Sequence, residues 1–492
     1  MLFHAQEFLL GFLPACLAGF FALGRWAGPA WALRWLVAAS LFFYGWWNPS
    51  CLPLLAGSIL GNWLFGRRIA THGAAARATA ARTWLFAGIA LNLAVLGWFK
   101  YAGFALSILA PSAIPPDIVL PLAISFFTFQ QIMFLSDSAR TGRSAPLLPY
   151  AAFVAFFPHL IAGPLVRPAE VLPQLQTPRM VVPDHDNLTA GLTIFLLGLG
   201  KKLILADLFG RFADVGFDAA ANGAALSFFE AWYALLAYAL QIYFDFSGYS
   251  DMAIGLARML NVRFPLNFDS PYQARDITAF WRRWHITLGA FLRDFVYIPL
   301  GGSRHGTPRR LLALLTTMLL CGLWHGAAWR FVLWGGLHGA ALAAHVLHRR
   351  FLHRRFLPPP PPLLAWPLTL LIVIVAWVPF RAADLSTAWR FLLALGGANG
   401  LALPRMIFDA VPLAHLFATP VPVLPWLGDA RTLSFPEVTA CLIIGWTIVL
   451  VLPNLHRWGE AWRVRALTGS FALTVQAIFF APHVAPFLYF RF

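Results

Sequence analysis

WRRWHITLGAFLRDFVYIPLGGSRHGTPRRLLALLTTMLLCGLWH, residues 281–325, decides the fold class. It runs from a tract of aromatics and arginines, through a break at IPLGG (298–302), into an apolar run that closes on His325. An apolar segment gains nothing from an imidazole by hydrophobicity, so a histidine in membrane-length sequence is a functional candidate with a partner to find. The break frees backbone amides and carbonyls. At membrane depth such irregular backbone is tolerated only where it is buried in protein or lines a water-filled cavity.

The sequence around this stretch agrees with a membrane setting. Of 492 residues, 60% are hydrophobic and 11% charged, with 45 Phe and 21 Trp, a balance that would leave a water-soluble domain with exposed apolar surface. One helical span needs about 20 apolar residues. Candidates fall near 8–24, 29–47, 51–66, 84–101, 118–136, 148–166, 188–206, 224–244, 309–324, 328–346, 363–380, 435–453 and 470–488. The expectation is an all-α polytopic membrane protein with about eleven to thirteen transmembrane helices. The first apolar run lacks a basic leader and a small-residue cleavage site, so it reads as a retained helix rather than a signal peptide.

The formal charge of +16 is concentrated in short loops: Arg67, Arg68, Arg77 and Arg82; Arg140 and Arg143; Arg349, Arg350, Arg354 and Arg355. Such loops lie on the cytoplasmic side, which puts the N-terminus outside if 51–66 spans. Topology and anionic lipid headgroups account for the basic surplus without nucleic acid. Cys16, Cys51, Cys321 and Cys441 lie in apolar runs without disulfide or metal spacing. Cys321 stands one turn before His325, which leaves a Cys–His pair as an alternative to buried thiols.

No soluble domain of any size fits, because the longest polar stretches are 167–186, 262–276 and 381–433. PPPPP (358–362) follows the basic tract HRRFLHRRF and marks a stiff linker. Three parts follow in order: N-terminal helices at 1–117, a core at 118–356, and C-terminal helices with an extracytoplasmic loop and an aromatic tail at 357–492. The SGYSDMAIG and GLWHGA tracts have no second copy, which weighs against a two-fold transporter architecture.

The segment 276–296 reads as an amphipathic helix that does not span, starting at an Asp276 cap. Phe280, Trp284, Leu288 and Phe291 recur at helical spacing, and Arg282, Arg283 and Arg293 supply the charge. His325 is the first candidate for a general base that takes a proton from an attacking hydroxyl; a histidine bonding between helices is the structural alternative. His285, on the amphipathic segment, is the second candidate, with the structural reading the stronger. Asp245 and Asp251 need partners within an apolar stretch, and Arg258, Arg275 and Arg282 are the nearby choices. A scaffold role suits both carboxylates better than a direct one. His159, in FFPHLIAGPLVRP (156–168), reads as a brace, and Lys201 and Lys202 as snorkelling anchors. No P-loop, Rossmann fingerprint, zinc motif or GxSxG elbow occurs.

LPLAISFFTFQQIMFLSD (120–137), FFPHLIAGPLVRP, YFDFSGYSDMAIG (243–255), NFDSPYQARDITAFWRRWHITLGAFLRDFVYIPLGG (267–302) and GLWHGAAWRFVLWGGLHG (322–339) together resemble the membrane-bound O-acyltransferase (MBOAT) family. The likeness is to its bacterial branch, which contains the alginate O-acetyltransferase membrane subunit. It covers roughly 120–345 in order, and is weaker over the first hundred residues and over 381–433.

The resemblance implies a ring of tilted helices around a thinned centre, where an acyl group crosses without its carrier. It makes His325 the essential histidine and His285 the second characteristic one. Trp281, Arg282, Trp284, Trp324 and Asp251 become supporting or tunnel residues. PFLYFRF (486–492) is similar to a C-terminal aromatic motif of this branch, which implies Tyr489 as an acyl relay where physics alone gives an interfacial anchor. No cofactor is bound; acetyl-CoA is the acyl donor substrate, and an acylated carrier protein is the other possible donor. The implied partners are membrane lipid, a periplasmic SGNH-type transferase and a polysaccharide acceptor, in a bacterial inner membrane. Acylation of peptidoglycan, lipid, protein or a teichoic-acid-type acceptor is the enzymatic alternative. A polysaccharide or lipid transporter is the other.

Overall fold

The computed structural model describes residues 1–72, 78–112, 118–161, 163–352, 361–404, 409, 419–421, 435–459 and 488. The protein is an all-α polytopic membrane protein. Among the described residues, four helices are long and apolar enough to cross a bilayer: Glu7–Trp26, Thr79–Leu109, Trp329–Phe351 and Leu363–Arg381. Leu385–Leu395 and Pro436–Val451 are apolar but shorter. The expected span at 470–488 lies outside the described residues except for Leu488.

The other expected spans are helical but shorter, broken or more polar. Residues 148–166 break at Phe156, between the helix Leu147–Ala155 and the single turn Phe157–Leu160. Pro158 has no amide hydrogen to continue a helix, and the Phe157 N–H donates instead to Ser40 Oγ at 3.2 Å. Among the described residues Phe228–Met259 is the longest helix at 32 residues, about 48 Å at 1.5 Å per residue. Glu230, Asp245, Asp251 and Arg258 all lie on it.

The described residues form two compact units. The first holds Met1–Leu199 and Tyr249–Leu266; the second holds Gly200–Gly248, Asn267–Gly459 and Leu488. In the first unit, polar side chains join apolar helices. Asn92 Nδ2 donates to Asn62 Oδ1 at 2.6 Å, and Asn62 Nδ2 donates in turn to Gln131. Hydrocarbon offers no competing partner, so such bonds hold helices together where hydrophobicity cannot. The Gln130 amide lies 2.8 Å from His159 Nδ1. His159 therefore braces the turn at the break.

The second unit is organised by a helical hairpin, Gly306–His325 and Trp329–Leu347. A Cβ at Gly322 would collide with the Phe331 carbonyl, and one at Gly335 with the Met318 carbonyl. The two backbones touch, which only glycine at the crossing permits. Gly335→Ala forces rigid backbone apart and lowers stability by about 1–3 kcal/mol, whereas Gly336→Ala is close to neutral because its Cβ would meet Leu319 Cδ2 at an ordinary 3.6 Å. Thermal unfolding of both variants in lipid nanodiscs checks this ordering.

Candidate active site

The expected amphipathic helix at 276–296 is two short helices instead of one. Asp276 caps the first, accepting from the Ala279 N–H at 2.7 Å, but the helix Ile277–Trp281 stops after five residues. A second begins at Ile286–Leu292 and runs into a π-turn at Arg293–Tyr297. Between them His285 sits in the left-handed region with φ of 45°, a conformation that non-glycine residues adopt only when their surroundings hold them there. Asn267 does the holding. Its carbonyl accepts from the Ile286 N–H at 2.9 Å, and its side-chain Oδ1 accepts from the Thr287 N–H at 3.3 Å and the Thr287 hydroxyl at 2.9 Å. The amphipathic division survives the break: Phe280, Trp284, Leu288 and Phe291 are buried, and Arg282 and Arg293 are exposed.

The same Oδ1 lies 3.1 Å from His285 Nδ1. An oxygen can only accept, so Nδ1 carries the proton and Nε2 presents the lone pair. His285 is fully buried, and among the described residues its Nε2 has no hydrogen-bond partner. Its ring meets Phe246 edge-on at 4.7 Å and Trp324 at 5.9 Å.

His325 is the last residue of the Gly306–His325 helix and is buried. Trp324, Trp334 and Phe380 box its ring, with centroids at 4.8, 5.0 and 5.1 Å. Trp334 comes from the other arm of the hairpin. Phe380 comes from the helix Pro362–Arg381, whose end is fixed by Arg330 Nη1 donating to the Phe380 and Ala382 carbonyls at 2.9 and 2.7 Å. The two histidines, forty residues apart in sequence, thus share one indole, that of Trp324.

Trp281 and Trp284 extend the aromatic wall. Trp284 packs on Phe268 and Trp377 at 5.0 Å each. Trp281 touches Trp334 at 5.8 Å and His338 at 5.1 Å. Arg282 points out of this wall. Asp251 is buried in the first unit, on the last part of the Phe228–Met259 helix. Cys321 is fully buried one turn before His325. Tyr489 lies outside the described residues.

Three participants escaped sequence reasoning. Asn267 carries no motif of its own beyond opening the quoted 267–302 stretch, although its place between an apolar run and the WRRWH tract is a signal. His338, inside WGGLHG, is fully buried with neither ring nitrogen hydrogen-bonded among the described residues. Lys202 is 2% exposed and is not a snorkelling anchor. It pairs with Asp245 at 2.8 Å and Asp207 at 2.6 Å, so the partner of Asp245 is this lysine and not Arg258, Arg275 or Arg282.

One turn beyond His338 on its helix, a cavity of about 690 Å³ opens, lined by Ala341, His345, Arg349, Arg275, Asp276 and Ile277 among others. Arg275, Arg349, His345 and His348 line it together with Asp276 and a mostly apolar remainder.

The profile of the membrane-bound O-acyltransferase family matches residues 23–378. The chain is a member of the MBOAT family. The match reaches further on both sides than the 120–345 likeness of the quoted motifs. A peptidoglycan O-acetyltransferase of Helicobacter pylori is 41% identical over 83% of this chain and 82% of its own length. The probable alginate O-acetylase AlgI of Pseudomonas aeruginosa is 41% identical over 80% of this chain and 75% of its own. A teichoic acid D-alanyltransferase of Streptococcus thermophilus is more distant, 28% identical over 45% of this chain and 55% of its own length. This MBOAT protein is accordingly an acyltransferase, and specifically an O-acetyltransferase.

Replacing Asn267 by Ala removes the acceptor of the Thr287 N–H and hydroxyl bonds and releases His285 from its tautomer. A stability loss of about 1–3 kcal/mol together with slower acetyl transfer is the expected result, read by thermal unfolding and product formation on the same preparation.

Proposed function

We propose that this enzyme carries acetyl from cytoplasmic acetyl-CoA across a bacterial inner membrane for O-acetylation of an extracytoplasmic polysaccharide, with His325 as general base. The observation that carries the reading is the placement of two buried histidines, His325 and His285, against one indole, that of Trp324. Water exclusion strengthens every electrostatic interaction in such a site and protects a thioester from hydrolysis.

The chemistry asks little of the protein beyond proton handling and position. A hydroxyl oxygen attacks the thioester carbonyl carbon, the C–S bond breaks, and the thiolate leaves on the donor side. His325 takes the hydroxyl proton and returns it to sulfur, one imidazole serving as base and then acid. His285, its Nδ1–H held by Asn267, offers Nε2 to the same space as a second acceptor or orienting group. Trp281, Trp284 and Trp324 shape the passage. Arg275 and Arg349 in the lining of the 690 Å³ cavity suit the phosphates of acetyl-CoA, and the arginines that follow in sequence, Arg350, Arg354 and Arg355, support a cytoplasmic side for this end by the positive-inside rule.

Tyr489 is the proposed relay: its phenol oxygen accepts acetyl as an ester and passes it to the acceptor, a two-step route of covalent catalysis. The acceptor is an exopolysaccharide of alginate or cellulose type, reached through a periplasmic SGNH-type transferase partner. A second reading, peptidoglycan as acceptor, is favoured by the Helicobacter pylori relative, whose likeness covers as much of the chain as that of the alginate protein.

Purified protein in nanodiscs with radiolabelled acetyl-CoA tests this. Wild type is expected to release CoA and retain label, His325→Ala to do neither while still folding, and Tyr489→Phe to lose bound label. Turnover by folded His325→Ala at the wild-type rate would refute the assignment of the base, and label retained by Tyr489→Phe would remove the relay.

A further inference from the structure

Asp245 is 2% exposed and both its oxygens are engaged. Oδ1 pairs with Lys202 Nζ at 2.8 Å, and Oδ2 accepts the backbone N–H of Leu488 at 2.8 Å, from 243 residues away in sequence. Lys202 Nζ is in turn 2.6 Å from Asp207. Burying one ammonium and two carboxylates in an apolar body costs several kcal/mol even when they are paired, and hydrophobic side chains would fill the space at lower cost. A carboxylate aimed at a backbone amide selects for chain position and not for a side chain, because every residue but proline carries that donor. Phe246, the next residue, meets the His285 ring at 4.7 Å. The contact to the C-terminal segment and the contact to the candidate site are therefore made from adjacent positions of one helix.

The geometry points to Asp245, held in place by Lys202, as a positioning residue that seats the C-terminal segment through the backbone of Leu488 so that its terminal residues take part in transfer. Lys202 holds the Asp245 carboxylate in orientation, and Asp207 holds Lys202 turned inward. Leu488, itself buried, supplies an apolar anchor beside the amide-to-carboxylate bond. The next residue in sequence is Tyr489. The inference rests on the proposal that the C-terminal segment acts in transfer.

Leu488→Pro removes the donating N–H and leaves the membrane body untouched, whereas Leu488→Ala shortens the side chain and keeps the N–H. Full-length wild type, both Leu488 variants, Asp245→Asn and the double variant Leu488→Pro/Asp245→Asn are compared in nanodiscs. Two readouts are taken: the rate at which carboxypeptidase releases the C-terminal residues, and kcat and KM for acetyl transfer from acetyl-CoA. A hydrogen bond to a charged acceptor is worth about tenfold in occupancy. Leu488→Pro is expected to release its tail about tenfold faster than Leu488→Ala, with a matching fall in kcat at unchanged KM, and the double variant to be no worse than Leu488→Pro alone, the mark of two residues in one interaction. Equal tail release by Leu488→Pro and Leu488→Ala overturns the seat. Faster release with undiminished kcat leaves the seat standing but refutes its part in transfer, and with it the reading of the tail as a relay. Because Leu488→Pro acts on the tail alone, the test stands even if Asp245→Asn fails to fold.

Discussion

Backbone-to-backbone contact between the helices Gly306–His325 and Trp329–Leu347 is the constraint from which the rest of the site follows. Without a Cβ at Gly322 or Gly335 the helices close until carbonyl meets Cα, and that distance sets where Trp334 stands relative to His325. Had either glycine been alanine, the hairpin would open and the box around the imidazole would lose a wall. Phe380 completes the box only because Arg330, on the second arm, grips the carbonyls at the end of its helix. Two arms and one guanidinium therefore determine the surroundings of a single side chain.

At His285 one amide side chain organises both backbone and imidazole. Asn267 uses one oxygen to hold His285 Nδ1, the Thr287 N–H and the Thr287 hydroxyl, and so both creates the left-handed turn and sets the tautomer. Nε2 of His285 is what remains. Asp245 is tied to Lys202 through Oδ1 and to the Leu488 N–H through Oδ2, which suits a fixture better than a reactant.

Much of this was legible in the sequence. Composition announced the membrane, Asp276 announced a helix cap, and an imidazole ending an apolar run announced His325. Chain patterns were less informative where long-range partners overrule local period. The spacing of Phe280, Trp284, Leu288 and Phe291 suggested one helix, and all four are buried as that spacing requires, yet Asn267 breaks the helix at His285 by a contact that no local pattern encodes. Lys202 resembled an anchor because its neighbours are apolar; that it turns inward depends on Asp245, 43 residues away in sequence, as well as on Asp207 nearby. Length and hydropathy find the apolar helices directly, whereas Phe228–Met259 carries four charged residues along one continuous helix.

The central claim is that acetyl crosses the bilayer while its carrier does not. Proteoliposomes holding acetyl-CoA inside and a soluble polysaccharide acceptor with the partner transferase outside test it most directly, by counting acetyl esters on the outer polymer and CoA in the lumen. Ester outside, matched by CoA retained inside and lost with His325→Ala, is the predicted result. Ester formed only when donor and acceptor share a compartment would contradict the account.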